Sequence, residues 1–69
     1  SRAESFTRGN MGNAFADIRD YPAARDAYQD ALKISRALGD DRNEAKWQGN
    51  LGLIYAAQAN HKQAIEAHQ

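Results

Sequence analysis

The sequence contains no cysteine, a single proline and a single tryptophan among its 69 residues. Without cysteine there is neither a disulfide framework nor a thiolate site, which fits a reducing compartment, and a cytoplasmic location is expected. Charge of one sign is missing too. Nine basic residues face nine acidic ones, and the balance holds in each half, five against five in 1–35 and four against four in 36–69. No basic face is expected to attract nucleic acid or an anionic membrane. No apolar run approaches the roughly 18 residues of a membrane span, and nothing reads as a signal peptide. Large apolar side chains are also scarce. Fourteen of the hydrophobic residues are alanine, leaving fifteen larger ones, so the core is thin and the unit marginal by itself. The chain starts without Met and stops inside an apolar-periodic segment, so both ends read as cuts.

What the sequence does have is a repeat. Residues 1–29 laid over 41–69 align without a gap, and nine positions are identical: Arg2/Arg42, Glu4/Glu44, Gly9/Gly49, Asn10/Asn50, Gly12/Gly52, Ala16/Ala56, Ala24/Ala64, Ala27/Ala67 and Gln29/Gln69. A fixed period of about 20–50 residues marks a stacked-repeat architecture. The expected units are a first repeat at 1–40 and a second, truncated one at 41–69.

Within each unit the apolar residues recur at helical spacing: Met11, Phe15 and Ile18, then Tyr21, Ala24, Tyr28, Ala31, Leu32 and Leu38. No segment alternates like a strand. Asp20-Tyr21-Pro22 supplies a capping side chain and a first-turn proline, and Asn60-His61-Lys62 occupies the same place in the second copy. Leu38-Gly39-Asp40-Asp41 closes one helix with glycine and opens the next, with Asp41 three residues before Glu44 as in a capping box; Ser1 and Glu4 repeat that spacing. The reading is all-α: helices at about 2–18, 22–38 and 42–58 and the start of a fourth from 61. Short connections make neighbours antiparallel.

These residues resemble the tetratricopeptide repeat, whose pattern runs W-x2-L-G-x2-Y, A-x3-F and a closing proline. The first copy carries Met11, Gly12, Phe15, Ala24 and Tyr28 at that spacing, the second Leu51, Gly52, Tyr55, Ala64 and His68. Arg8 and Gln48 stand where the family often has tryptophan, and Arg36 where it often has the proline. The G-N-x-G opening and 40-residue period are similar to the longer variety seen in kinesin light chains, G-protein-signalling modulators and bacterial multi-repeat regulators. The resemblance implies a helical solenoid whose first helices line a concave groove and present it to a peptide or partner protein, as a protein-interaction scaffold. Self-association through exposed repeat ends and a spacer or sensor array within a larger regulator are the alternatives.

Mapped onto this chain, the groove residues are Phe6, Asn13, Ala16 and Asp17 in the first copy and Lys46, Leu53, Ala56 and Ala57 in the second. The amides of Asn10, Asn13 and Asn50 suit a ligand main chain. Asn13 and Asn50 match two places of the family's carboxylate clamp, but Gly9 stands where that clamp has lysine. Gly12 and Gly52 match the family's close-packing glycine, while Gly9 and Gly49 allow either tight helix stacking or room for a bound backbone. Trp47 reads as core between helices. His61 and His68 lie about 10 Å apart along a helix, too far to share an ion, and they align with Tyr21 and Tyr28 as packing positions. No nucleophile, base and orienter recur together, so neither catalysis, metal nor cofactor is expected.

Overall fold

The computed structural model describes the backbone of residues 2–67, with the side chains of residues 64, 66 and 67 left aside. Three helices follow one another: α1 (Arg2–Asp17), α2 (Tyr21–Leu38) and α3 (Asp41–Ala67). The joints are two and three residues long, which turns each helix antiparallel to its predecessor. The capping pair proposed for Ser1 and the position of His68 lie outside the described residues.

Both joints are built alike. At the end of α2, Gly39 takes a left-handed backbone (φ 66°) and its N–H reaches Arg36 O at 3.1 Å, while Asp40 N–H reaches Ser35 O at 2.9 Å. At the end of α1 the same pair of bonds joins Arg19 N–H to Ala16 O (3.0 Å) and Asp20 N–H to Phe15 O (2.8 Å). The left-handed residue there is Arg19 (φ 63°), where a side chain costs roughly 1–2 kcal/mol that glycine avoids. Asp20 then caps α2 through Ala23 N–H, with Pro22 in the first turn.

The second joint differs in detail from expectation, because Asp40 rather than Asp41 caps α3. Its two carboxylate oxygens accept from Asn43 N (3.3 Å) and Asn43 Nδ2 (2.7 Å), and Arg2 approaches it at 3.6 Å. Asp41 becomes the first helical residue, where its charge still suits the helix N-terminus.

The expected break at Asn60-His61-Lys62 is also corrected: α3 runs unbroken for 27 residues. The first copy is broken by Arg19 in the left-handed region and then by Pro22. At the matching places the second copy has Ala59 and Lys62, both good helix formers, so the i to i−4 ladder continues through Asn60. Residues 59–63 are exposed.

α2 is the central helix. It buries Ala24, Ala27, Tyr28, Ala31, Leu32 and Ser35, a helical stripe pressed from both sides. α3 contributes Trp47, fully buried, and Ile54. α1 contributes no large buried side chain. Its buried residues are Ser5, Gly9 and Gly12, whereas Met11 is exposed and Ile18 is 72% exposed. Of the periodic apolar residues Met11, Phe15 and Ile18, only Phe15 packs against the core, half-buried.

The glycines explain the inversion. A Cβ at Gly9 would overlap the six-membered ring of Trp47, and one at Gly12 would come within 2.6 Å of the Tyr28 ring. The rings reach the α1 backbone only because no side chain intervenes. Gly49 and Gly52 have nothing within 4 Å of the same point, so the expected close contact at Gly52 is not made among the described residues. Alanine at Gly9 or Gly12 is expected to destabilise the fold by about 1–3 kcal/mol through overpacking. Alanine at Gly49 or Gly52 is expected to stabilise it by up to about 1 kcal/mol through helix propensity. Urea denaturation followed by circular dichroism separates the two pairs, and stabilisation at all four positions would contradict the packing described.

Candidate functional site

Phe6, Asn10, Asn13 and Asp17 follow at spacings of four, three and four along α1, and Lys46, Asn50 and Leu53 follow at four and three along α3. Each set lies on one helix face. The repeat makes Phe6, Asn10 and Asn13 the counterparts of Lys46, Asn50 and Leu53.

Trp47 ties the two stripes together. Its indole Nε1–H donates to Ser5 Oγ at 3.0 Å. Ser5 Oγ lies 2.8 Å from Ser35 Oγ and 3.3 Å from Ala31 O. One proton arrangement satisfies every group: Ser5 donates to Ala31 O and accepts from both Trp47 and Ser35. Among the described residues no buried side-chain polar atom lacks a partner. The Trp47 ring stacks on Tyr28, centroids 6.0 Å apart and planes at 25°.

On the outer side of Trp47 stands Phe6, 41% exposed, meeting it edge-on at 6.3 Å and 83°. Lys46 Nζ lies 4.9 Å from the Trp47 ring centroid and 5.5 Å from that of Phe6. Such cation–π contacts contribute about 0.5–1 kcal/mol where exposed. Phe6 and Lys46 are thus brought together from different repeats. Beside them a cavity of about 260 Å³ is lined by Arg2, Phe6, Asp40, Arg42 and Asn43.

The other candidates divide. Asn10 is exposed and Asn50 half-buried, and neither makes a side-chain hydrogen bond among the described residues. Leu53 is 69% exposed. Asn13 is engaged within the hairpin: its Oδ1 accepts from the Tyr28 hydroxyl. Asp17 acts on the same phenol. Burial pushes the Tyr28 ionisation above its ordinary 10.0, and the Asp17 charge adds to the rise. Ser5, Ser35 and the Lys46 contact were not read from the sequence. The usable signal was Trp47 itself, since a buried indole N–H requires an acceptor.

Residues 2–69 match the sequence model of the tetratricopeptide repeat. The chain belongs to the tetratricopeptide repeat family. No curated protein and no solved structure matches it. Tetratricopeptide repeats are in general protein–protein interaction units, and the three-helix packing here is that of a helical repeat fragment. In this tetratricopeptide repeat unit the indole is Trp47, one place before the family's usual position at Gln48. Among the described residues no helix is long and apolar enough to cross a membrane.

Tyr28 gives the unit a pH dependence with a definite sign. The folded state favours the neutral phenol, while an unfolded tyrosine ionises near its ordinary value. The Tyr28 contribution is therefore intact below pH of about 10 and is lost as pH rises through the higher folded value. Tyr28→Phe is expected to cost about 0.5–1.5 kcal/mol at neutral pH through the lost bond to Asn13, and to flatten the alkaline decline. Urea midpoints at a series of pH values between about 8 and 11.5 check this. Parallel declines in both proteins would exclude Tyr28 as the source.

Proposed function

We propose that this tetratricopeptide repeat unit is a protein-interaction scaffold whose face along α1 and α3 takes a peptide or a partner protein, within the cytoplasm and without catalysis. The observation that carries the reading is the Lys46–Phe6–Trp47 arrangement. A half-exposed aromatic ring and a cation are held in fixed relation by a buried indole, so a ligand would meet an anchor already organised. Asn10 and Asn50 supply unengaged amides along the same stripes for a ligand main chain. Leu53 adds an apolar contact, and Asp17 an acidic edge. Asn13 belongs to this face but shares its carbonyl with Tyr28, so its ligand contact would come from the amide N–H2.

A peptide selected from a random library against the chain provides the probe. Its affinity, measured by calorimetry, is expected to fall roughly tenfold when Asn10 and Asn50 are both changed to alanine, at about 0.5–1.5 kcal/mol for each lost bond. Phe6→Ala is expected to weaken it at least as much, as loss of a buried aromatic anchor does. Melting of the asparagine variant should stay unchanged. Selected peptides that bind both variants as tightly as the parent chain would remove the groove from consideration.

Self-association is a second reading, favoured by one feature: Gly49 and Gly52 offer the same bare backbone that Trp47 and Tyr28 cover at Gly9 and Gly12, yet nothing described lies against them. Sedimentation equilibrium over a range of concentrations tests it.

A further inference from the structure

The joint between α1 and α2 faces the C-terminal half of α3 across an open cavity of about 500 Å³, whose lining includes none of the groove residues described above. Its lining is Arg19, Tyr21, Pro22, Gln58, His61 and Lys62. Two of these are cations, one is an imidazole and none is acidic. Gln58, His61 and Lys62 share one face of α3, and they line this cavity because α3 continues straight past Asn60.

The cations here differ from most others on the molecule. Arg2, Arg8, Arg25 and Arg36 each lie within 4 Å of a carboxylate. Among the described residues neither Arg19 nor Lys62 has such a partner. Asp20, beside Arg19, turns its carboxylate to the Ala23 N–H as a helix cap. Arg19 also rises from a backbone fixed by two hydrogen bonds in the left-handed region, where the matching joint uses Gly39.

We propose that this cavity is a second recognition site, for an acidic peptide segment. A carboxylate would lie between the Arg19 guanidinium and the Lys62 ammonium, with Gln58 and His61 as further polar contacts. The Tyr21 ring and Pro22 would hold the apolar part of the same segment. The chain carries no net charge; of the other cations without a carboxylate within 4 Å, Lys46 lies over the Phe6 and Trp47 rings and Arg42 lines a cavity that also holds Asp40, whereas Arg19 and Lys62 share one lining with no acid in it. A nucleic acid or a membrane would need a continuous basic surface. The proposal rests on the reading of the chain as a protein-interaction unit and names one partner chemistry for it.

The test uses a fluorescein-labelled hexaglutamate peptide and fluorescence anisotropy, with hexaglutamine as the neutral control and inorganic phosphate as competitor. Hexaglutamate is expected to bind and hexaglutamine not. Lys62→Gln and Arg19→Gln should each weaken binding roughly three- to tenfold, as loss of one charge-assisted contact at a partly exposed site does. Arg19→Gly should weaken it similarly while raising the melting temperature, which separates recognition from folding. Lys33→Gln removes the same charge elsewhere and should change affinity by less than about twofold. Equal losses at Lys33 and Lys62, no binding of hexaglutamate, or displacement of the peptide by millimolar phosphate would each overturn the proposal. Hexaglutamate binding that falls with Phe6→Ala but not with Lys62→Gln would overturn it too, while leaving the groove reading intact.

Discussion

Trp47 reaches the centre of the molecule only because Gly9 has no side chain to meet it. That single steric allowance connects everything else. With the ring against the α1 backbone, its N–H falls on Ser5, and Ser5 in turn joins Ser35 and the Ala31 carbonyl of α2. All three helices therefore share one buried hydrogen-bonded cluster. A buried indole N–H left without an acceptor would cost about 1–3 kcal/mol, a large part of the stability of so small a unit. The thin supply of large apolar residues is offset by closeness of approach, with backbone, hydroxyl and ring atoms packed where another fold would place leucines.

Much of this was legible in the sequence, and the reasons differ by residue. α2 could be read because its buried stripe is carried by alanines, Tyr28 and Leu32 at helical spacing, and its ends by Pro22 and Gly39. The helix count failed at Asn60, where the repeat suggested a joint but the local residues did not supply one. Ala59 and Lys62 carry neither the left-handed turn nor the proline of the first copy, and propensity outweighed the analogy. The buried face of α1 was hidden for another reason. Serine and glycine carry little hydrophobic signal, so the periodicity of Met11, Phe15 and Ile18 led to a face of which only Phe15 packs against the core, while Met11 and Ile18 stay exposed. Of the candidate site, Phe6 and Lys46 were named through the resemblance to the tetratricopeptide repeat. Their meeting over Trp47 is a tertiary fact, and no spacing within one helix encodes it.

The two joints show how one sequence period can carry different local chemistry. Each ends a helix with the same pair of hydrogen bonds and a left-handed residue. Gly39 takes that conformation without strain, and Arg19 does not. The hydrogen bonds and the following cap evidently suffice to hold Arg19 there, because Asp20 and Pro22 leave the chain no comfortable way to continue α1. At Gly39 the next residue, Asp40, does double service, capping α3 through Asn43 and drawing Arg2 across from α1. The start of the first repeat is thereby fastened to the start of the second.

The proposed groove would be the outer side of this core. Phe6 and Lys46 sit on Trp47, and Asn13 and Asp17 act on Tyr28, which stacks on Trp47. A ligand gripping Phe6 and Lys46 would press on side chains that already cover the indole, so its contacts and those of the core would be made by the same atoms. Binding to the folded state alone stabilises it by RT ln(1 + [L]/Kd), about 2.7 kcal/mol at a hundredfold excess over Kd. In a unit with few large buried side chains such a contribution is comparable to that of the central hydrogen-bonded cluster. On that proposal recognition and folding would be two aspects of one arrangement: the aromatic residues that hold the helices together would be the floor on which a partner rests.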